Sequence, residues 1–218
     1  MRRGQGVGGE GWLAPRVAVI QYGVGNIYSI VSGLRRAGAE PTVMDCLRDP
    51  GDWDGVVLPG VGAYAAASMR LHRCAWEIRE ALKMGAQLLG VCLGLQLLFT
   101  DSREAGEHSY GLSLLPGTVE KLTAAKLPHI GWSRVYRVPG RDCRLLEGIE
   151  DGSHFYYVHS YAYTRVWEPW VCAVSRYGET VYAAVVEQPP VYATQFHPER
   201  SSRLGQRVLR NWVALLRR

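Results

Sequence analysis

The 218-residue sequence contains no uninterrupted apolar run approaching the roughly 18 residues that a membrane span requires. Its opening stretch, MRRGQGVGGEGWLAP, has no apolar core of the kind a secretory signal carries. Neither a membrane nor a secretory destination is expected, and the chain reads as cytoplasmic. Metal-binding spacing is also missing: the five cysteines (46, 74, 92, 143 and 172) include no CxxC pair, and the six histidines show no ligand pattern. An odd set of cysteines fits neither a disulfide framework nor a zinc site, and it leaves room for a lone reactive thiol. No cofactor is expected, because GVGN (23–26) lacks the third glycine of the dinucleotide-binding GxGxxG spacing. Basic and aromatic residues are not interleaved along one face and the net charge of +5 is mild, which argues against a nucleic-acid partner.

What is present is a globular composition, 47% hydrophobic and 21% charged, in a chain long enough to bury one sizeable core. Residues 1–15 are Gly-rich and aperiodic and are expected to form a mobile extension, leaving 16–218 as a single domain. RVAVIQY (16–22) reads as a strand that meets Gly23 and Gly25. Asn26 is then placed to cap a helix with Ile27, Ile30, Val31 and Leu34 on one face. Apolar strands recur at GVVLP (55–59) and AQLLGV (86–91), with helical stretches around 64–84 and 93–100. Strands alternating with helices predict a three-layer α/β fold whose mostly parallel central sheet is covered on both faces. After Pro116 the texture becomes β-rich, in pieces such as GTVEKL, SRVYRV, HFYYVHSY, TVYAAVVEQ and PPVYATQF, which predicts a smaller mixed or antiparallel portion. A final helix from about 202 sets Leu204, Val208, Trp212 and Leu215 beside arginines 203, 207, 210 and 217, an amphipathic surface pattern.

Two short segments carry chemistry. GVCLG (90–94) follows an apolar strand and precedes an apolar helix, the form of a nucleophile elbow. Its glycines permit a sharp turn that lifts Cys92 clear of the sheet and leaves the Leu93 N–H facing a reacting carbonyl. A thiol at a helix N-terminus is favoured as thiolate, whereas the bland alternative is a small buried core residue. FHPE (196–199) ends a strand-like run, and in an extended segment His197 and Glu199 would share a face. The carboxylate could then hold one ring nitrogen and aim the other at a nucleophile; the alternative is a solvated surface turn. Together they supply nucleophile, base and orienter for acyl transfer, and the Gly-rich PGVGA (59–63) offers amide donors for an oxyanion.

GVCLGLQ (90–96), LPGVGAY (58–64) and QFHPERS (195–201) resemble the triad, or class-I, glutamine amidotransferases. YGVGN (22–26), PHIGW (128–132) and YYVHSY (156–161) bring the resemblance closer to the glutaminase subunits of imidazole glycerol phosphate synthases in histidine biosynthesis. The resemblance runs from about residue 16 to the end. It implies glutamine hydrolysis by Cys92, His197 and Glu199, with oxyanion donors in the Gly60, Val61 and Gly62 loop and at Leu93. It implies further that Gln96, Glu104 and the backbone at Ser160 and Tyr161 hold the amino and carboxylate ends of glutamine. The partner it implies is the (β/α)₈ barrel cyclase subunit, which takes the ammonia and makes imidazole glycerol phosphate and an aminoimidazole carboxamide ribotide. Asn26, Tyr156 and Arg200 match positions near that interface. The sequence departs from the usual pattern at Gln21, Ser133 and Arg200, where Asp, Asn and Lys are common. The alternatives are a triad glutaminase of another pathway, a cysteine hydrolase or peptidase on the same elbow, and a non-enzymatic scaffold that keeps the fold without the chemistry.

Overall fold

The computed structural model describes residues 14–23, 27–60, 62–104 and 109–216. In chain order these form β1 (Arg16–Ile20), α1 (Tyr28–Arg36), β2 (Glu40–Met44), β3 (Gly55–Leu58), α2 (Tyr64–His72), α3 (Ala75–Lys83), β4 (Gln87–Val91) and α4 (Leu93–Gln96). The second half adds β5 (Asp101–Ser102), β6 (Ser109–Tyr110), β7 (Thr118–Lys121), β8 (His129–Arg134), β9 (Tyr136–Arg137), β10 (His154–His159) and β11 (Tyr161–Ala162). It closes with β12 (Val171–Tyr177), β13 (Thr180–Gln188), β14 (Val191–Thr194) and α5 (Ser202–Leu216).

The main sheet has eight strands in the order β2-β1-β3-β4-β14-β13-β12-β9. Its first five strands are parallel and the remainder antiparallel, so the α/β half and the β-rich half share one sheet. Side chains alternate across a strand, and β1 shows the consequence. Val17 and Val19 pack with Ile30, Leu34, Leu209 and Trp212 on the face covered by α1 and α5, whereas Ala18 and Ile20 pack with Tyr64, Leu71 and Ile78 on the face covered by α2 and α3. The result is the expected three-layer arrangement, helix–sheet–helix. Two small sheets, β8–β10 and β11-β7-β5-β6, lie outside the main one.

The observed elements differ from the sequence reading in definable ways. The expected helix over 64–84 is two helices, broken at Arg73 and Cys74, and the one after the elbow stops at Gln96. β2 and β12 were not anticipated: β2 is an edge strand, mostly exposed and carrying Pro41, so it lacks an alternating signal. On α5 the buried stripe is Gly205, Val208, Leu209, Trp212, Val213 and Leu216, and Leu204 lies on the exposed side. Cys46 is joined to Cys74 and Cys143 to Cys172, which corrects the expectation of no disulfide framework and leaves Cys92 as the one free cysteine. Each pair is separated by 28 or 29 residues yet has its Cα atoms 5.3 or 5.4 Å apart, a proximity that spacing along the chain does not reveal. The Glu187 carboxylate lies near the second pair, where it accepts the N–H groups of Arg144 and Leu145. The extension expected over 1–15 falls outside the described residues up to residue 13, and the Pro15 carbonyl already accepts the Glu40 N–H at 2.9 Å. Asn26 and Val61 also lie outside the described residues, and the residue preceding α1 is Ile27.

Candidate active site

Three neighbouring parallel strands, β3, β4 and β14, end at the same level, with Leu58 beside Gly90 and Val91 beside Thr194. The chain leaves β3 into Pro59–Gly60, leaves β4 at Cys92, and leaves β14 through Gln195 to His197. Segments far apart in sequence are thus delivered to one spot at the carboxyl edge of the sheet, the usual place for a ligand in an open α/β fold.

The elbow is built by close packing. A Cβ on Gly94 would stand 1.9 Å from the Leu58 carbonyl oxygen, so α4 can start against β3 only if that residue is glycine. Cys92 takes up the resulting turn with φ 49° and ψ −104°, a conformation costing on the order of 1–3 kcal/mol for a residue with a side chain. The Cys92 N–H donates to the Thr194 carbonyl at 2.7 Å, which fastens the turn to β14. Because Leu93 opens α4, its amide has no acceptor within the helix and is available to a ligand.

His197 donates its backbone N–H to the Tyr156 carbonyl at 2.9 Å, and its own carbonyl accepts the Ser201 hydroxyl at 2.6 Å. The expected extended run through His197 to Glu199 is instead an extended His197 followed by a 3₁₀ turn at Pro198–Arg200, begun by the fixed φ of Pro198. The turn still pairs the two side chains, with Nδ1 and Oε1 2.8 Å apart. Nδ1 therefore carries its proton toward the carboxylate, and Nε2, buried, is left for another partner. Burial alone would push the His197 imidazole down; the charge of the neighbouring Cys92 and the Glu199 carboxylate outweigh burial and raise it to about 10. Gly60 packs against both side chains: the position of its missing Cβ lies 2.7 Å from Cys92 Cβ and 2.9 Å from His197 Cε1.

Gly60, Gly62, Cys92, Leu93, Gln96, Glu104, Ser160 and Tyr161 line one cavity of about 210 Å³, so every described residue expected to hold substrate stands around it. Burial raises the Glu104 carboxyl, against a hydrogen bond from the Tyr64 backbone that lowers it. The buried Gln96 donates Nε2–H to the Tyr161 carbonyl at 2.8 Å, which turns its Oε1 away from that carbonyl. The same carbonyl is 2.9 Å from His159 Nδ1, which must be its donor. His159 Nε2 is 3.2 Å from His129 Nδ1, and His129 Nε2 is 3.0 Å from the Ser133 hydroxyl. Burial lowers the two imidazoles to about 3 and about 4, so both are neutral and each has one donor and one acceptor nitrogen. Tyr156 and Arg200 meet, with the guanidinium 4.5 Å over the ring, and Trp132 packs edge-on at 6.0 Å. Beside them Ile130 and Trp132 are 61% and 52% exposed.

Residues not anticipated at the site are His159, His129 and Gln195. The buried Gln195 places Nε2 3.6 Å from Cys92 Sγ. A residue two before His197 on an extended chain shares the face of His197, but what that face meets depends on β14 lying beside β4.

The class-I glutamine amidotransferase family model matches residues 18–215. "Imidazole glycerol phosphate synthase subunit HisH" of Moorella thermoacetica is 44% identical over 207 residues, covering 92% of this chain and 95% of that protein. The protein of the same name from Thermobifida fusca is 39% identical over 215 residues, covering 94% of this chain and all (100%) of that one. Among solved structures, PurLQS from Thermotoga maritima superposes with a TM-score of 0.71 at 21% identity, over 92% of this chain and 98% of that one. With these matches along nearly its whole length, the chain belongs to the class-I glutamine amidotransferases, alongside the HisH subunits.

Proposed function

We propose that this chain is the glutaminase subunit of a cytoplasmic imidazole glycerol phosphate synthase, hydrolysing glutamine through Cys92, His197 and Glu199 and passing ammonia to a (β/α)₈ barrel cyclase subunit. The observation that carries it is the convergence of elbow, Gly60 loop and His197–Glu199 pair beside a cavity whose other walls suit an amino acid. The catalytic unit is the single domain 16–218.

Glutamine lies with its α-ammonium toward Glu104 and Gln96 Oε1 and its carboxylate toward the backbone at Ser160 and Tyr161. The Cys92 thiolate attacks the carboxamide carbon, and the carbonyl π electrons move to oxygen, where the Leu93 N–H and the loop at Gly60, Val61 and Gly62 receive the charge. His197 gives its Nε2 proton to the amide nitrogen as the C–N bond breaks, releasing ammonia and leaving a thioester. Water then attacks the thioester while His197 takes its proton, and glutamate leaves with the thiolate restored. Glu199 holds the imidazole through Nδ1 and stabilises its protonated form. No helix among the described residues is long and apolar enough to cross a membrane.

The exposed Ile130 and Trp132, beside the Tyr156–Arg200 stack, form an apolar and aromatic surface of the composition that anchors protein partners. This surface would dock the cyclase, and Asn26, which lies outside the described residues, is expected to add a contact. β10 links the two regions, because Tyr156 accepts the His197 N–H while Val158 and His159, further along the strand, line the cavity.

The deciding experiment measures glutamate release by this chain alone, and then with the cyclase and its nucleotide ligand. Stimulation of at least about tenfold is expected, within the range of ordinary allosteric coupling. Hydrolysis indifferent to that partner would move the protein to another amidotransferase pathway, and peptide turnover would favour a hydrolase.

A second expectation concerns pH. Glu199→Gln keeps an acceptor of the same shape for Nδ1 and removes the charge. The alkaline limb of kcat/KM, set by loss of the His197 proton near 10, should move to lower pH by at least about one unit. A pH–rate profile with its alkaline limb in place would remove Glu199 from the triad.

A further inference from the structure

The sulfur of Cys92 has more partners than the triad supplies. On one side stands His197, and 3.7 Å away is the Val158 carbonyl, an acceptor suited to a protonated thiol. The third neighbour is the Gln195 side-chain amide, 3.6 Å away and buried. We propose that Gln195 is a further catalytic residue, donating an N–H to the Cys92 thiolate, and that Gln96 sets the orientation in which it does so.

The orientation follows from the hydrogen-bond network. Gln96 Nε2 spends one proton on the Tyr161 carbonyl at 2.8 Å, and the same nitrogen, with a second proton to give, lies 3.5 Å from the other end of the Gln195 amide. That end must be oxygen, because the reverse would set two NH₂ groups against each other. The amide NH₂ of Gln195 then has to face the sulfur. Its backbone is fixed as well, since its N–H donates to the Ala184 carbonyl at 2.9 Å in continuation of the sheet. Gln195 cannot turn to water, because its relative exposure is 0%.

The consequence is chemical. During turnover His197 surrenders its proton to the departing ammonia, and when the thioester is hydrolysed the sulfur must leave as an anion. An imidazole that has just accepted a proton from water is one support for that anion. A fixed amide N–H is a second, available whatever the state of the imidazole, and bonds to charged groups are the stronger class of hydrogen bond. The Val158 carbonyl serves the protonated thiol and Gln195 the thiolate, so the sulfur has a partner in both states.

This rests on Cys92 being the nucleophile, and the test separates the two ideas. The rate of iodoacetamide alkylation of Cys92 in the full chain, followed by mass spectrometry, is measured at pH 6.5 and at pH 10 for wild type and Gln195→Met, which keeps the length and loses the donor. About a tenfold slower reaction is expected at pH 6.5, with no change at pH 10, where thiols ionise without help. Equal rates at both pH values, or the same loss at both, overturn the proposal, the latter because it reports access and not ionisation. Gln96→Met should give a smaller loss of the same form and carries the test if Gln195→Met does not fold. If alkylating Cys92 in the wild type leaves glutamine hydrolysis intact, the nucleophile assignment itself has failed, and this inference with it.

Discussion

Cys92→Ala is expected to lower glutamine hydrolysis by at least about a thousandfold while the cyclase complex continues to work on added ammonium salts, since no other group in the cavity can form the thioester. Ammonia supplied from solution enters after the step assigned to Cys92, so synthesis driven by it should stay within about twofold of wild type. The two activities must be measured on one preparation, because a variant that had lost its fold or its partner would lose both. Comparison with Cys92→Gly adds a test of the geometry. Cys92 sits at φ 49°, where a Cβ is strained, and alanine inherits the strain while glycine does not. The glycine variant should therefore be more stable than the alanine variant by about 1 kcal/mol in urea denaturation, although it has the smaller side chain. A glycine variant weaker than alanine would show that the elbow is relaxed. Full hydrolysis by either variant would remove Cys92 from the chemistry.

That strain bears on what could be read in advance. GVCLG is legible because Gly90 must leave room for the Gly94 backbone four residues on, a need that lies within the turn and leaves a local mark. The α/β alternation of β1, β3 and β4 is legible for the same reason: strands covered on both faces are apolar throughout. Partnerships made in space leave no such mark. Cys46 and Cys74 belong to different segments brought together by the packing of α2 and α3 on the sheet, and nothing in their spacing announces it. Gln195 is an ordinary strand residue by type, and its place against Cys92 depends on β14 lying beside β4. The His197–Glu199 pair lies between these cases. The residues were identifiable from FHPE, but the extended geometry expected of them gave way to a turn, because Pro198 favours starting a 3₁₀ helix and the Ser201 hydroxyl holds the His197 carbonyl.

Gly60→Ala should damage hydrolysis severely although it removes no functional group. The added methyl would stand 2.7 Å from Cys92 Cβ, 2.8 Å from the Val91 carbonyl oxygen and 2.9 Å from His197 Cε1. None of these can yield cheaply: the first belongs to a residue held in a strained turn, the second is backbone of a central strand, and the third is a ring clamped by Glu199. The loop carrying Gly60 and Gly62 must therefore retreat, or the thiol and imidazole must separate. Either movement is about an ångström, enough to cost at least about a hundredfold in rate when the oxyanion donors and the attacking atom are displaced relative to each other. Overpacking should also destabilise the fold by about 1–3 kcal/mol, well short of unfolding a domain with two extensive cores. The expected result is a folded protein that still supports ammonium-driven synthesis with its partner and hydrolyses glutamine at no more than about one per cent of the wild-type rate. Hydrolysis within about threefold of wild type, with an unshifted urea midpoint, would mean that the methyl group meets neither side chain, and the loop would lose its assignment as the oxyanion site.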